Sequence, residues 1–176
     1  MTTTTQNKTL YEALKTQFGY TSPMQLPRIE KVVVSTGVGS IKDKKRHEHI
    51  AGRLTHITGQ AVAVAQARKS IASFKSREGD TAGYRVTLRG AQMQHFLTKL
   101  INIVLPRVRD FRGLKVAAID EMGNLTIGIK EHTVFPETAD EDIRDVFGLA
   151  ITIVTTANTK KEAEALLRGI GIPFQK

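Results

Sequence analysis

The sequence predicts an α+β fold in which helices cover one face of a largely antiparallel sheet and leave the other face open. Three strand-like segments in the second half of the chain follow one another without a long helix between them, as antiparallel pairing allows: residues 116–119, 125–129 and 149–156. Residues 84–89 alternate strictly between apolar and polar side chains, which is typical of a strand with one buried face. Residues 92–105 repeat apolar side chains at helical spacing, so a helix here would present one apolar stripe to the sheet.

The first half of the chain contains the remaining strand and helix patterns that lead up to this helix. A capping-box pattern at Thr9 and Glu12 predicts a first helix, which Gly19 is expected to end. The other predicted elements of this half are a proline-containing connector at 22–27, a strand at 29–36, a helix at 42–58 and a strand at 61–65.

The second half is expected to begin where Pro106 stops the helix, followed by a basic loop over 107–113. After the strand at 125–129, residues 131–147 are acidic and contain a proline, so we expect a loop with a short helix. A second capping-box pattern at Thr159 and Glu162 predicts the last helix.

Composition limits the class of protein. At 176 residues the chain is long enough for one core, so a single domain over 1–176 is expected, with residues 1–8 disordered. It contains no cysteine, which excludes disulfides, thiol catalysis and cysteine-type zinc sites. No apolar run approaches about 20 residues, so we expect no membrane span and a cytoplasmic protein.

The charge is strongly positive and unevenly distributed. The formal net charge is +9, which favours a polyanionic partner such as nucleic acid. Residues 1–115 contain 20 Lys and Arg against 7 Asp and Glu, whereas residues 116–176 contain 6 against 10. One part of the molecule is therefore predicted to meet a polyanion, while the acidic part suits a basic protein.

The densest basic stretch is residues 66–90, which holds six Lys and Arg against two acids. Its first part is polar and turn-rich, so a flexible loop is expected there. The strand that follows presents Arg85, Thr87 and Arg89 to solvent, a pattern suited to phosphate groups. If the strand registers agree, Lys31 and Ser35 lie on the same open face.

Structured RNA is the favoured polyanion. The open face would offer arginine, lysine, threonine and serine side chains, which suit the shallow minor groove, phosphates and 2′-hydroxyls of duplex RNA. The predicted strands carry no aromatic pair of the kind that stacks single-stranded bases.

Three other candidate sites are weaker. The Gly37–Ser40 turn matches neither the nucleotide loop nor the dinucleotide fingerprint, which favours a plain strand-to-helix turn. His47 and His49 would point to nearly opposite sides of a helix, so they cannot share one metal ion. The acidic cluster over 137–145 lies in a short polar segment, where a solvated face or a protein contact is favoured over acid–base catalysis.

Several ordered motifs together resemble one known family over essentially the whole chain from Tyr11. They are Met24–Lys31, Gly37–Gly39, Thr58–Gln60, Ala67–Ser70, Val86–Gly90, Pro106–Gly113, Gly148–Ile153 and the Pro173-Phe174 end. On these motifs the chain resembles the family of bacterial large-subunit ribosomal protein five. The resemblance implies a structural, non-enzymatic ribosomal protein that needs no cofactor or metal and that attaches 5S ribosomal RNA to the central protuberance of the large subunit.

The resemblance also implies site residues and partners. It implies 5S RNA contacts at Lys31, Ser35, Gln60, Thr87 and Arg89. The density of positive charge in the basic stretch adds Arg68, Lys69 and Arg85 to the predicted 5S RNA contacts. Ser35 stands where the family commonly has asparagine, and its hydroxyl reaches less far. The family's mobile loop aligns with 74–83 and is expected to contact transfer RNA in the peptidyl site through Phe74, Lys75, Ser76, Arg77 and Gly79.

Further partners follow from the same resemblance. They are 23S ribosomal RNA, other central-protuberance proteins, and a small-subunit head protein that is bridged from the part of the chain after Lys115. Two alternatives remain open at this point, a generic RNA chaperone that binds any duplex through charge, and a phosphate-transfer enzyme that uses the Gly37–Gly39 turn.

Overall fold

A computed structural model describes residues 14–15, 17–41, 43–74, 76–138 and 146–175 of the chain. Over these residues the fold is α+β, as predicted, with a five-stranded antiparallel sheet and three main helices. The strands are β1 (Ile29–Gly37), β2 (Ala63–Gln66), β3 (Thr81–Leu88), β4 (Leu125–Ile129) and β5 (Leu149–Thr155), in the order β2-β3-β1-β5-β4. The helices are α1 (Lys44–Thr58), α2 (Gly90–Lys99) and α3 (Lys160–Ile170).

The chain divides into two compact units. One contains the described residues up to Glu30, together with Arg112–Thr126 and the residues from Ile153 onward. The other contains the described residues of Lys31–Phe111 and Ile127–Thr152.

The core of the second unit follows from the alternation in β1 and β3. Val32 and Val34 are fully buried, and Val86 and Leu88 lie opposite them in the antiparallel pairing. Helix α1 contacts β3 and buries Ile50, Leu54 and Ile57, which are the three residues whose spacing predicted the helix. Helix α2 buries Met93, Phe96 and Leu97 in the same way.

The helix at α2 is longer than predicted at both ends. It begins at Gly90 and continues as a wider π-helical segment, Leu100–Val104, and a final turn, Leu105–Arg107. The prediction that Pro106 stops the helix is therefore wrong by one residue. Pro106 lies in this last turn, directly after the π-helical segment.

The predicted edge strand at 116–119 is also wrong. Residues Val116–Ala118 form a 3-10 turn, and Ile119 makes a single bridge to Leu125. Residues 131–138 contain two further 3-10 turns, His132–Val134 and Pro136–Thr138, whereas 139–145 lie outside the described residues.

Both ends of the described chain belong to the first unit. The predicted start of the first helix at Thr9 and Glu12 lies outside the described residues, but its predicted end does not. Gly19 has a φ of 71° and donates its amide to the carbonyl of Lys15, as expected for a helix terminus. At the other end, Leu114 pairs with Phe174 in a parallel bridge, and the Arg168 guanidinium lies 5.2 Å from the centre of the Phe174 ring.

Candidate nucleic-acid interface

The open face of the sheet brings together polar side chains from β1 and β3. Ser35 lies directly opposite Arg85, and Val33 lies opposite Thr87, so all four point away from the buried face. Arg85 is exposed, while Ser35 and Thr87 are half-buried. The polar side chains of β1 and β3 therefore lie on the same face of the sheet, as the alternation in the two strands predicted.

Lys31 and Arg89 flank this group at one end. Val32 pairs with Leu88, and Lys31 and Arg89 are the next residues along the two strands. We call Lys31, Ser35, Arg85, Thr87 and Arg89 the polar sheet face. Three of its five side chains are cationic and two carry hydroxyls, so it offers hydrogen-bond donors suited to anionic oxygens.

Gln60 is held at the edge of this face by the fold. Helix α1 ends at Gly59, which has a φ of 68° in the left-handed region. The turn directs the Gln60 side chain to β3, where its Nε2 donates to the main-chain carbonyl of Thr87 at 3.3 Å. Gln60 is thus positioned next to Thr87, just before β2 begins.

Arg68 and Lys69 lie away from the polar sheet face. They follow the end of β2 and belong to the connection between β2 and β3, residues 67–80, which we call the hairpin. Both side chains are exposed. They extend the positive charge of the sheet face along the hairpin.

The hairpin is closed by its own hydrogen bonds. Ala67 donates its amide to the carbonyl of Asp80 at 2.8 Å, and the amides of Ile71 and Ser76 bond reciprocally to each other's carbonyls. Two side chains add further bonds, since Ser70 Oγ accepts from the Glu78 amide at 2.9 Å and Asp80 Oδ2 accepts from the Arg77 amide at 2.8 Å. The mobility of this segment stays a prediction.

The tip of the hairpin presents an aromatic ring to solvent. The short 3-10 turn Ala72–Phe74 lies inside the Ile71–Ser76 bridge, and Phe74 is 76% exposed. Phe74 is therefore not a core anchor, although core anchoring is the commoner fate of a lone phenylalanine. Arg77 and Gly79 are exposed near it and Ser76 is half-buried, whereas Lys75 lies outside the described residues.

Strand β3 begins earlier than the sequence predicted. It starts at Thr81, so residues 81–83 belong to the sheet and not to the loop. Gly83 pairs with Gly37 on one side and Ala65 on the other, and a Cβ at Gly83 would lie 2.5 Å from the Thr36 carbonyl oxygen. The missing side chain lets β1 and β3 approach closely at this point.

The Gly37–Ser40 turn and His47, two of the other candidate sites, have structural roles. In the Gly37–Ser40 turn, the Val38 side chain is fully buried and its amide donates to Ala82. A ring nitrogen of His47 contacts the carbonyl of Ile41 at 2.8 Å. Among the residues that the structure describes, no group of three or more His, Asp or Glu side chains could hold a metal ion.

Of the five carboxylates in the acidic cluster, the structure describes only that of Glu137. Its carboxylate accepts from the Lys99 ammonium at 2.6 Å, and Lys99 also donates to the Ile57 carbonyl at 2.8 Å. Sequence reasoning missed this ion pair because 38 residues separate its members and no local pattern links them.

Comparison with known proteins identifies the family. Residues 22–77 match the family described as ribosomal protein L5, and residues 81–174 match the model of the C-terminus of the same ribosomal family. The chain belongs to the ribosomal protein L5 family. Two similar proteins are both named large ribosomal subunit protein uL5. The one from Desulfotalea psychrophila is 52% identical over 93% of this chain and 92% of its own length, and the one from Ureaplasma urealyticum is 50% identical over 93% and 89%.

Membership of the L5 family establishes the general role. The chain is a structural, non-enzymatic protein of the large ribosomal subunit, it works on the cytoplasmic ribosome, and it partners with ribosomal RNA. The phosphate-transfer alternative is therefore wrong. Over the described ranges, no helix is long and apolar enough to cross a membrane.

Proposed function

We propose that this protein attaches 5S ribosomal RNA to the large subunit by docking its polar sheet face, with Gln60, Arg68 and Lys69, on the RNA. The observation that carries the proposal is the register of β1 and β3, which gathers Ser35, Arg85 and Thr87 on one face, where Arg85 is exposed. A flat face with cations and hydroxyls suits the shallow minor groove and phosphates of duplex RNA.

The hairpin is proposed to contact transfer RNA in the peptidyl site. Its support is the exposed Phe74 ring next to Arg77, because an aromatic surface can stack on a base while a cation neutralises a phosphate. Ser76 and Gly79 complete the proposed contact within the described residues, and Lys75 is the remaining proposed contact.

Further contacts are proposed for the rest of the molecule. We expect 23S ribosomal RNA and other central-protuberance proteins to bind nearby, and a small-subunit head protein to be bridged from the part of the chain after Lys115. The excess of acidic residues over 116–176 supports a basic partner there.

A gel-shift series with 5S RNA tests the division of labour between face and hairpin. Arg85→Ala should weaken 5S binding roughly tenfold, because it removes one charge-assisted contact. The double variant Phe74→Ala, Arg77→Ala should leave 5S binding within about twofold but reduce retention of transfer RNA in the peptidyl site of reconstituted ribosomes. The double variant is cleaner than a deletion that reaches Thr81, since Thr81 is the first residue of β3.

Lys44→Ala is the charge-matched control, because Lys44 is exposed at the start of α1 and is not part of the polar sheet face. Equal loss of 5S binding in all three variants would refute the proposal. It would favour the generic chaperone, which competition between 5S RNA and an unrelated structured RNA at two salt concentrations would then confirm.

A further inference from the structure

A shallow cleft between the end of α1 and one side of α2 lies next to the polar sheet face. It has a volume of about 280 Å³, and its lining includes His56, Ile57, Gln92, His95, Phe96 and Lys99. The chain connects the cleft directly to the face, since Gln60 follows Gly59 and Arg89 precedes the first turn of α2.

The rim of the cleft consists of hydrogen-bond donors. His56, Gln92 and His95 line it, and each can donate an N–H group even when the imidazoles are neutral. Gln92, His95 and Lys99 are spaced by three and four residues, so they lie along one side of α2. The floor is apolar, because Ile57 and Phe96 are buried in the core.

Lys99 places an ammonium at a helix end that would otherwise repel an anion, and it shares that charge with Glu137. The carboxyl end of a helix repels anions, and α1 ends here. The Lys99 ammonium donates to the Ile57 carbonyl at 2.8 Å and lies 5.7 Å from the centre of the Phe96 ring, so a fixed positive group covers that helix end. Glu137 pairs with Lys99 and offsets most of its charge, so the neutral donors of the rim, and not net charge, are the groups that would hold a phosphate here.

We propose that this cleft is an additional RNA site, in which His56, Gln92 and His95 bind the phosphate backbone of the same 5S RNA that docks on the polar sheet face. The inference rests on the proposed function. It extends the RNA footprint from Gln60 and Arg89 onto the adjoining ends of α1 and α2. RNA is the occupant that the site favours, because the rim offers donors and the cleft continues the proposed RNA surface.

A charge series at one position tests the site with 5S RNA as the probe. His95→Glu should weaken binding about tenfold, since it places a carboxylate against a phosphate, whereas His95→Lys should hold or tighten binding. Gln94→Glu and Gln94→Lys are the matched controls, because Gln94 is exposed on the same helix one residue away and does not line the cleft. They change the net charge equally and should shift affinity less than about twofold.

Arg85→Ala is measured beside this series to separate two kinds of failure. If Arg85→Ala weakens binding but the His95 and Gln94 variants behave alike, the cleft is not an RNA site and the sheet-face proposal stands. If neither Arg85→Ala nor His95→Glu weakens binding, the proposed function itself fails. Tighter binding by His95→Lys than by Gln94→Lys would support the cleft site, and an unfolded protein could not give that result.

Discussion

At the scale of single residues, Gly83 shows how the absence of a side chain lets β1 and β3 pair closely. A methyl group at this position would lie 2.5 Å from the Thr36 carbonyl oxygen, which is main chain and cannot rotate away. We predict that Gly83→Ala lowers the free energy of unfolding by about 1–3 kcal/mol, measured by denaturant titration.

Gly52→Ala is the control for that measurement. Gly52 lies inside α1, and nothing lies within 4 Å of the Cβ that alanine would add. Because alanine favours a helix over glycine, this variant should stabilise the protein by about 0.5–1 kcal/mol. Destabilisation of both variants by the same amount would contradict a specific role for Gly83.

Tyr20 provides a residue-scale prediction with a spectroscopic readout. Burial first, and then the hydrogen bond and charge of Glu162, raise the pKa of Tyr20 to about 12. The folded pKa therefore lies above the ordinary tyrosine value, so this group stabilises the fold at lower pH and its contribution is lost between about pH 10 and 12.

Absorbance titration of the phenolate should show one tyrosine that ionises near pH 12 in the wild type and is absent in Tyr20→Phe. Glu162→Gln should lower that pKa without restoring the ordinary value, because burial is the larger cause. A wild-type Tyr20 that ionises near the ordinary tyrosine value of about 10 would refute this explanation.

At the scale of elements, the hairpin combines exposed side chains with a hydrogen-bonded frame. The Ser70 hydroxyl accepts a hydrogen bond from the Glu78 amide at 2.9 Å, across the hairpin. The Asp80 carboxylate accepts one from the Arg77 amide at 2.8 Å, within the turn. Removal of both acceptors leaves the Glu78 and Arg77 amides unpaired, so the segment should open more often.

We therefore predict that Ser70→Ala with Asp80→Ala accelerates tryptic cleavage after Arg77 several-fold, as measured by mass spectrometry under native conditions. Ser73→Ala in the same hairpin serves as the control, because Ser73 is exposed within the tip turn. If the double variant and the control are cleaved at the same rate, the two side-chain bonds do not hold the hairpin closed.

The elements differ in how well the sequence predicted them. β1, α1, β4, β5 and α3 are regular and alternate or repeat with a clear period, so their positions were predicted to within about two residues. The errors lie where tertiary contacts override local signals. Helix α2 continues through a π-helical segment into a last turn that contains Pro106, and residues 116–118 form a 3-10 turn in place of an edge strand.

The start of α3 confirms the capping pattern predicted at Thr159 and Glu162. Thr159 accepts from the Glu162 amide, as the capping pattern predicts, but the Glu162 carboxylate accepts from the amide of Asn158, one residue before the predicted donor. Both side chains therefore satisfy main-chain amides at the start of the helix.

At the scale of the whole molecule, the sequence predicted the polar sheet face but not the cleft beside it. Alternation in two separate strands gave the residues of the face, and the register of β1 and β3 confirmed that they lie together. The cleft joins His56 to His95, which are far apart in the chain and follow no shared period. A site of that kind depends on how two helices pack, which sequence spacing does not encode.

The net charge of +9 attracts any polyanion. The salt dependence of binding can separate this general attraction from contacts made by particular residues. For 5S RNA, the logarithm of the association constant should fall linearly with the logarithm of the salt concentration, because each neutralised phosphate releases counterions. Arg85→Ala and Arg89→Ala should each reduce the magnitude of this slope by about one, as expected for the loss of one phosphate contact. Lys44→Ala removes the same charge away from the face and should leave the slope unchanged, so an equal change in all three would mean that net charge, and not the sheet face, determines binding.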